Sequence, residues 1–178
     1  MANTTPTTNS LENYFLPFTA NKDFKKEPRL LDRGEGVYYW NHKGDQVIDA
    51  SSGLFCVPLG HGRKEIAEAV HQQLLTLDYA PSFQVSHLPA FTLAKKVANL
   101  LPGDLNNVFF TICGSTAIDS AIKMIQAYQH AIGQSQRVRF VSRERAYHGV
   151  NIGGTSLSGM IKNREVFTAT MPGVIHLR

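Results

Sequence analysis

The sequence predicts an α/β fold built on a parallel sheet, and three neighbouring stretches carry that prediction. Asn107 to Ile112, "NVFFTI", is a short apolar run suited to a strand covered on both faces. Ala117 to Ala131 repeats its apolar residues at helical spacing before Gly133 ends it. Arg137 to Ser142, "RVRFVS", supplies a second strand. Strand, helix and strand in that order connect as a right-handed crossover, which requires the two strands to run parallel.

The chain of 178 residues is 43% hydrophobic with a formal net charge of +4, the composition of an ordinary soluble protein with room for a real core. Residues 1–10, "MANTTPTTNS", read as a disordered tail. They lack the basic start and apolar core of a secretory signal, and no apolar run is long enough to span a bilayer, so the expected setting is the cytoplasm. Leu11, Tyr14, Phe15, Leu16 and Phe18 then bring in apolar mass. Gly36 to Ala50 holds two aromatic or β-branched runs around a polar turn at Asn41 to Asp45, a hairpin pattern. Ser51 to Arg63 is a Gly- and Pro-rich loop feeding a helix from Lys64 to Leu77, where Ile66, Val70, Leu74 and Leu77 recur at helical spacing. A second helix, Leu88 to Leu101, is closed by Pro102 and Gly103.

After Ser142 come a loop around "RERAYHGVNIGGTSLSG", a basic segment to Phe167 and a short strand at Gly173 to Leu177. Residues 11–62 therefore read as an N-terminal segment with a hairpin, and residues 63–178 as the incomplete start of an α/β domain, with an apolar sheet edge left to be covered. Basic residues are scattered apart from Arg137 to Arg145, so neither a nucleic-acid groove nor a membrane-binding face stands out. Cys56 and Cys113 have neither disulfide-framework nor metal-ligand spacing.

Chemistry concentrates at two places. Cys113, Gly114, Ser115 and Thr116 are all small and stand where the first strand gives way to its helix. Amides at a helix start lack intrahelical partners and sit at the positive end of the macrodipole, so such a turn suits a phosphate, with Ser115 and Thr116 adding hydroxyl donors. The competing reading is a Ser or Thr capping the helix at a tight packing corner. Tyr147, His148 and Gly149 follow the next strand, on the same rim of an open sheet. Tyr147 offers a face for a planar ring and His148 a hydrogen-bonding edge; the alternative is a packed Tyr and an exposed His. Together the two places suggest a phosphorylated ring cofactor. No G-x-x-x-x-G-K-[ST] occurs, no G-x-G-x-x-G follows the strand, and "GTSLSG" is no serine-hydrolase elbow because Ser158 stands where glycine is required.

Five ordered blocks, "LPFTANKDFKKEPRLL", "GVYYWNHKGDQVIDASSGLFCVPLGHGR", "LDYAPSFQ", "VFFTICGSTAIDSAIK" and "RVRFVSRERAYHGV", make the chain resemble the class III, or ω-amino acid, aminotransferases from Tyr14 onward. The resemblance implies the N-terminal portion of a fold-type I transferase dependent on pyridoxal 5′-phosphate: a small-domain segment followed by part of the parallel sheet of the large domain. It implies that Cys113, Gly114 and Ser115 cradle the cofactor phosphate, that Tyr147 stacks on the pyridine ring, and that His148 and Gly149 complete that motif. Phe18 matches a substrate-pocket phenylalanine, Phe55 the position where relatives often carry tryptophan, and Phe83 lies in a stretch resembling one that reaches the neighbouring subunit's site. The usual "TNSGSEA" is here "TICGSTA", so Ile112, Cys113 and Thr116 depart from the family pattern, and a thiol replaces a hydroxyl donor at Cys113.

The implied activity moves an amino group from an ω-amino acid or amine to pyruvate or a similar keto acid, in a homodimer or higher homo-oligomer. The family's cofactor-bearing lysine and ring-pairing aspartate lie downstream of Arg178, and neither Lys123 nor Lys162 matches the lysine. The 178 residues alone are accordingly expected to hold no catalytic residue and to be inactive. The rivals are a non-catalytic binding or assembly module, and an aminomutase or decarboxylase on the same scaffold.

Overall fold

A computed structural model describes residues 11–178; the expected tail at residues 1–10 lies outside the described residues. Contacts divide the chain between Ser86 and His87 into two compact units.

The first unit is organised by a three-stranded antiparallel sheet in the order β1 (Leu31–Glu35), β2 (Tyr38–Asn41) and β3 (Gln46–Ile48). The hairpin read from the sequence is β2–β3, in the register Tyr38 to Ile48, Tyr39 to Val47 and Trp40 to Gln46. Its turn is held by Asn41, whose Oδ1 accepts from the amides of Lys43 and Asp45 at 2.9 Å each, while Gly44 takes φ 89°. β1 has no sequence pattern of its own, because "LDRGE" is poor in β-formers. It forms by pairing with β2, and the Arg33 guanidinium sits 3.8 Å from the Trp40 ring centroid. A short helix α1 (Asn21–Phe24) precedes the sheet, and α3 (Lys64–Thr76) follows it at the expected place.

Between them lies a single turn, α2 (Ser52–Phe55), hidden within a loop-like sequence. It is left-handed: Ser52, Gly53, Leu54 and Phe55 have φ of 51°, 58°, 57° and 68°. Each non-glycine residue in that region costs about 1–2 kcal/mol.

The second unit contains α4 (Leu88–Ala98), α5 (Gly114–Ala131), β4 (Phe140–Arg143), α6 (Ile152–Leu157), a 3₁₀ turn at Ile161–Asn163 and β5 (Val174–Leu177). β4 and β5 pair in parallel, Phe140 with Val174 through Arg143 with Leu177. The expected parallel sheet therefore exists, between the second and third of the three expected strands and not between the first and second. The apolar run at 107–112 pairs with no strand among the described residues, and Phe109, Phe110 and Ile112 are exposed. A ladder needs a hydrogen-bonding neighbour, and β-propensity alone does not provide one.

α6 packs against α5, β4 and β5, and the buried residues here are small and polar. Every buried hydroxyl has a partner: Ser142 faces His148, Thr155 donates to the Val150 carbonyl, Ser156 donates to Ile152 and accepts from the Met171 amide, and Ser158 donates to the Ala146 carbonyl. Ile122 on α5 is the one buried large apolar side chain among the described residues. Gly159 sits so close to the loop after β4 that a Cβ there would run into the Arg143 carbonyl and the backbone of Glu144 and Arg145. Because backbone atoms cannot rotate away, Gly159→Ala is expected to lower stability by about 1–3 kcal/mol, read as a reduced midpoint in denaturant unfolding.

Candidate functional site

The first turn of α5 is assembled by backbone geometry. Cys113 is the N-cap, fully extended at φ −164° and ψ 168°, and contributes no side-chain cap. The helical ladder opens with the Ala117 amide on the Cys113 carbonyl at 3.0 Å, leaving the amides of Gly114, Ser115 and Thr116 without intrahelical acceptors. A Cβ built on Gly114 would meet nothing within 4 Å, so the approach to these amides is open.

Neither Ser115 nor Thr116 caps the helix. Ser115 Oγ instead accepts the Val150 amide at 2.9 Å, across 35 residues of sequence, which leaves its own hydrogen free to donate. The Thr116 hydroxyl lies 3.3 Å from the Cys113 sulfur. That contact, followed by the Thr116 and Ser115 amides, holds the Cys113 thiol below its ordinary pKa.

Gly149 is buried at φ 109°, and a Cβ on it would fall 2.5 Å from Ser115 Oγ and 2.7 Å from Ser115 Cα. Gly154, on α6, backs the same loop so closely that a Cβ there would strike the His148 carbonyl. The structure therefore brings Ser115 and Gly149 into contact and holds the backbone of His148 and Gly149 between α5 and α6. His148 turns Nε2 toward Ser142 Oγ at 3.1 Å, so that edge of the ring is spent on fixing the loop. Tyr147, 56% exposed, keeps its ring accessible.

Sequence reasoning missed Asp119. Its Oδ1 is buried without a hydrogen-bond partner, where a side chain on Gly153 of α6 would collide with it. No spacing in the sequence marks it, since a carboxylate one turn into a helix ordinarily faces water.

Phe18, Phe55 and Phe83 belong to the first unit, where they are 86%, 84% and 88% exposed. None of them is core. Among the described residues no three His, Cys, Asp or Glu side chains are grouped as a metal site.

Amides without intrahelical acceptors, a serine hydroxyl able to donate and an accessible aromatic face fit a phosphorylated planar ring. The architecture is that of the ω-transaminases. It matches a thermostable (S)-enantioselective ω-transaminase from Thermomicrobium roseum with TM-score 0.91 at 36% identity, over 95% of this chain and 38% of that one. It also matches an ω-transaminase from Pseudomonas jessenii in complex with PMP, with TM-score 0.91 at 32% identity, over 95% and 38%. A profile described as "Aminotransferase class-III" matches residues 19–178. The chain belongs to that family, whose members depend on pyridoxal 5′-phosphate. Relatives include a β-alanine–pyruvate aminotransferase of Pseudomonas aeruginosa, 49% identical over 162 residues, and an ω-amino acid–pyruvate aminotransferase of Pseudomonas putida, 47% identical over 167 residues. The matches cover 91% and 94% of this chain but 36% and 37% of those relatives, so the chain spans little more than a third of their length.

If the first turn of α5 lowers the thiol pKa as described, alkylation of Cys113 by iodoacetamide in cofactor-free protein will titrate at a lower pH than an ordinary cysteine thiol. Thr116→Val will move the Cys113 profile upward, because the first cause of the depression is removed. Peptide mass spectrometry across a pH series checks both.

Proposed function

We propose that the chain is the N-terminal part of a transaminase that uses pyridoxal 5′-phosphate to move an amino group from an ω-amino acid or amine to pyruvate or a similar keto acid. The observation that carries the reading is the joint between Ser115 and the Gly149–Val150 backbone, which ties an open helix start to an aromatic loop. The names of the relatives supply the substrate class.

When bound, the cofactor supplies an aldehyde that takes up the amino group and a protonated ring that draws electron density from the substrate carbon. The residues of this chain bind and orient. The amides of Gly114 and Ser115 and the Ser115 hydroxyl hold the phosphate, with the Cys113 thiol beside them in place of a hydroxyl. Tyr147 stacks on the ring, and His148, anchored by Ser142, sets the angle at which its loop presents that tyrosine. Phe18, Phe55 and Phe83 shape the amine pocket. Proton transfer at the substrate carbon falls to the downstream lysine implied by the family resemblance.

In this reading residues 11–62 are the N-terminal segment and residues 63–178 the start of the large cofactor domain. The unpaired apolar run at 107–112 supports a larger sheet in which it finds neighbours. The working form is a homodimer or higher homo-oligomer in the cytoplasm. No helix among the described residues is long and apolar enough to cross a membrane.

The test is amino-group transfer from β-alanine to pyruvate by the native-length protein loaded with pyridoxal 5′-phosphate, followed as alanine formed. Absence of both cofactor uptake and transfer refutes the reading, while uptake without transfer points to another reaction on the scaffold. In the active protein, Tyr147→Ala is expected to weaken cofactor retention roughly three- to tenfold, the worth of one stacked ring. Gly149→Ala, which drives a methyl group into Ser115, should weaken it further, measured by cofactor absorbance after gel filtration.

A further inference from the structure

We infer that Asp49, latched to His61, is a positioning residue that holds the left-handed Ser52–Phe55 turn and so presents Phe55 as a fixed wall for the amine substrate. The inference rests on the reading of Phe55 as a pocket residue.

Four successive residues with positive φ, three of them not glycine, do not persist unless their surroundings over-determine them. Here the surroundings converge on one carboxylate. Asp49 Oδ2 accepts the Gly53 amide at 2.7 Å and His61 Nε2 at 2.7 Å, and Oδ1 accepts the amide and hydroxyl of Ser51 at 3.2 Å each. The turn closes on itself through the Phe55 amide on the Ser51 carbonyl at 2.9 Å and the Val57 amide on the Ser52 carbonyl at 2.8 Å. The Asp49 side chain is only 5% exposed, so these donors face little competition from water.

His61 is itself immobilised, which makes it an anchor. Its backbone exchanges both hydrogen bonds with Gly36, at 3.0 and 2.8 Å. Its ring centroid lies 4.2 Å from that of Tyr39 on β2, and Gly34 on β1 leaves no slack, since a Cβ there would sit 3.0 Å from His61 Cβ. The turn is thus rooted in the three-stranded sheet through Asp49 and His61, at the two ends of the loop that carries it.

What the latch secures is exposed. Leu54 and Phe55 project to the surface, so the strain is not compensated by burying them. A rigidly held exposed aromatic loses less freedom when a ligand packs on it, and its fixed position discriminates by shape. Merely closing the loop would have required neither the left-handed backbone nor a carboxylate with four donors.

The experiment uses the native-length holoenzyme. Asp49→Ala is expected to lose hydrogen-exchange protection across the segment 51–59 and to raise the KM for the amine about tenfold. It should also relax the kcat/KM preference between a linear ω-amino acid and a branched aromatic amine about tenfold, with cofactor retention unchanged. Asp49→Asn, equal in size and keeping one acceptor oxygen, is expected to fall between and serves where the alanine variant does not fold. His61→Gln keeps a donor toward Asp49 and should restore most of the preference that His61→Leu loses. Lost protection with unchanged amine preference overturns the inference, as does unchanged protection in both Asp49 variants. A wild-type protein that takes up no cofactor refutes the transaminase reading instead, and with it the role given to Phe55, while the exchange comparison still decides whether Asp49 holds the turn.

Discussion

The second unit depends on one close approach, Ser115 against Gly149. A hydrogen bond from the Val150 amide to Ser115 Oγ joins the start of α5 to the loop after β4, and only the absence of a side chain at residue 149 lets the two backbones come together. Everything useful about the site follows. The contact occupies a lone pair of the serine and leaves its hydrogen to donate, and it ties the loop that carries Tyr147 to a helix start whose amides lack intrahelical acceptors. Gly154 and Gly159 repeat the device on either side of the loop, each replacing a side chain by backbone contact.

This style of construction explains the polar interior of the unit. Where backbones approach so closely there is no volume for leucine or phenylalanine, so Ser142, Thr155, Ser156 and Ser158 fill the space; the last three satisfy backbone carbonyls and an amide, and Ser142 pairs with His148. Asp119 stands out against this economy. A buried carboxylate oxygen without a donor is costly, and it lies at the α5–α6 contact immediately behind the cradle.

The first unit meets a different demand by the same means. Asp49 spends a whole carboxylate on three local donors and on His61, and holds a strained turn that exposes its aromatic residue. The hydrogen bond from His61, ahead of those from the Gly53 and Ser51 amides, keeps the Asp49 carboxyl below its usual pKa. The carboxylate therefore strengthens the fold above the unfolded-state pKa, and that contribution fades as pH falls through the depressed folded value. In both units glycines and small polar residues, rather than bulk, decide the geometry of the working surface.

The family and the places where chemistry gathers were legible in the chain alone, because they rest on local rules. Helices α3, α4 and α5 follow from apolar period, the β2–β3 hairpin from its Asn and Gly turn, and the cradle from small residues at a helix start. What the chain could not disclose is whatever depends on partners distant in sequence. β1 exists only because β2 lies beside it, and the apolar run at 107–112, the best strand on propensity, is no strand because nothing described pairs with it. Ser115 could be read as a cap until Val150, 35 residues away, turned out to be its partner. The left-handed turn at Ser52–Phe55 opposes every local preference except that of Gly53, and only the convergence of Asp49 and His61 makes it a minimum. Local propensity is encoded residue by residue; hydrogen-bond partners and steric neighbours are set by the closure of the fold, and these gave the site its geometry.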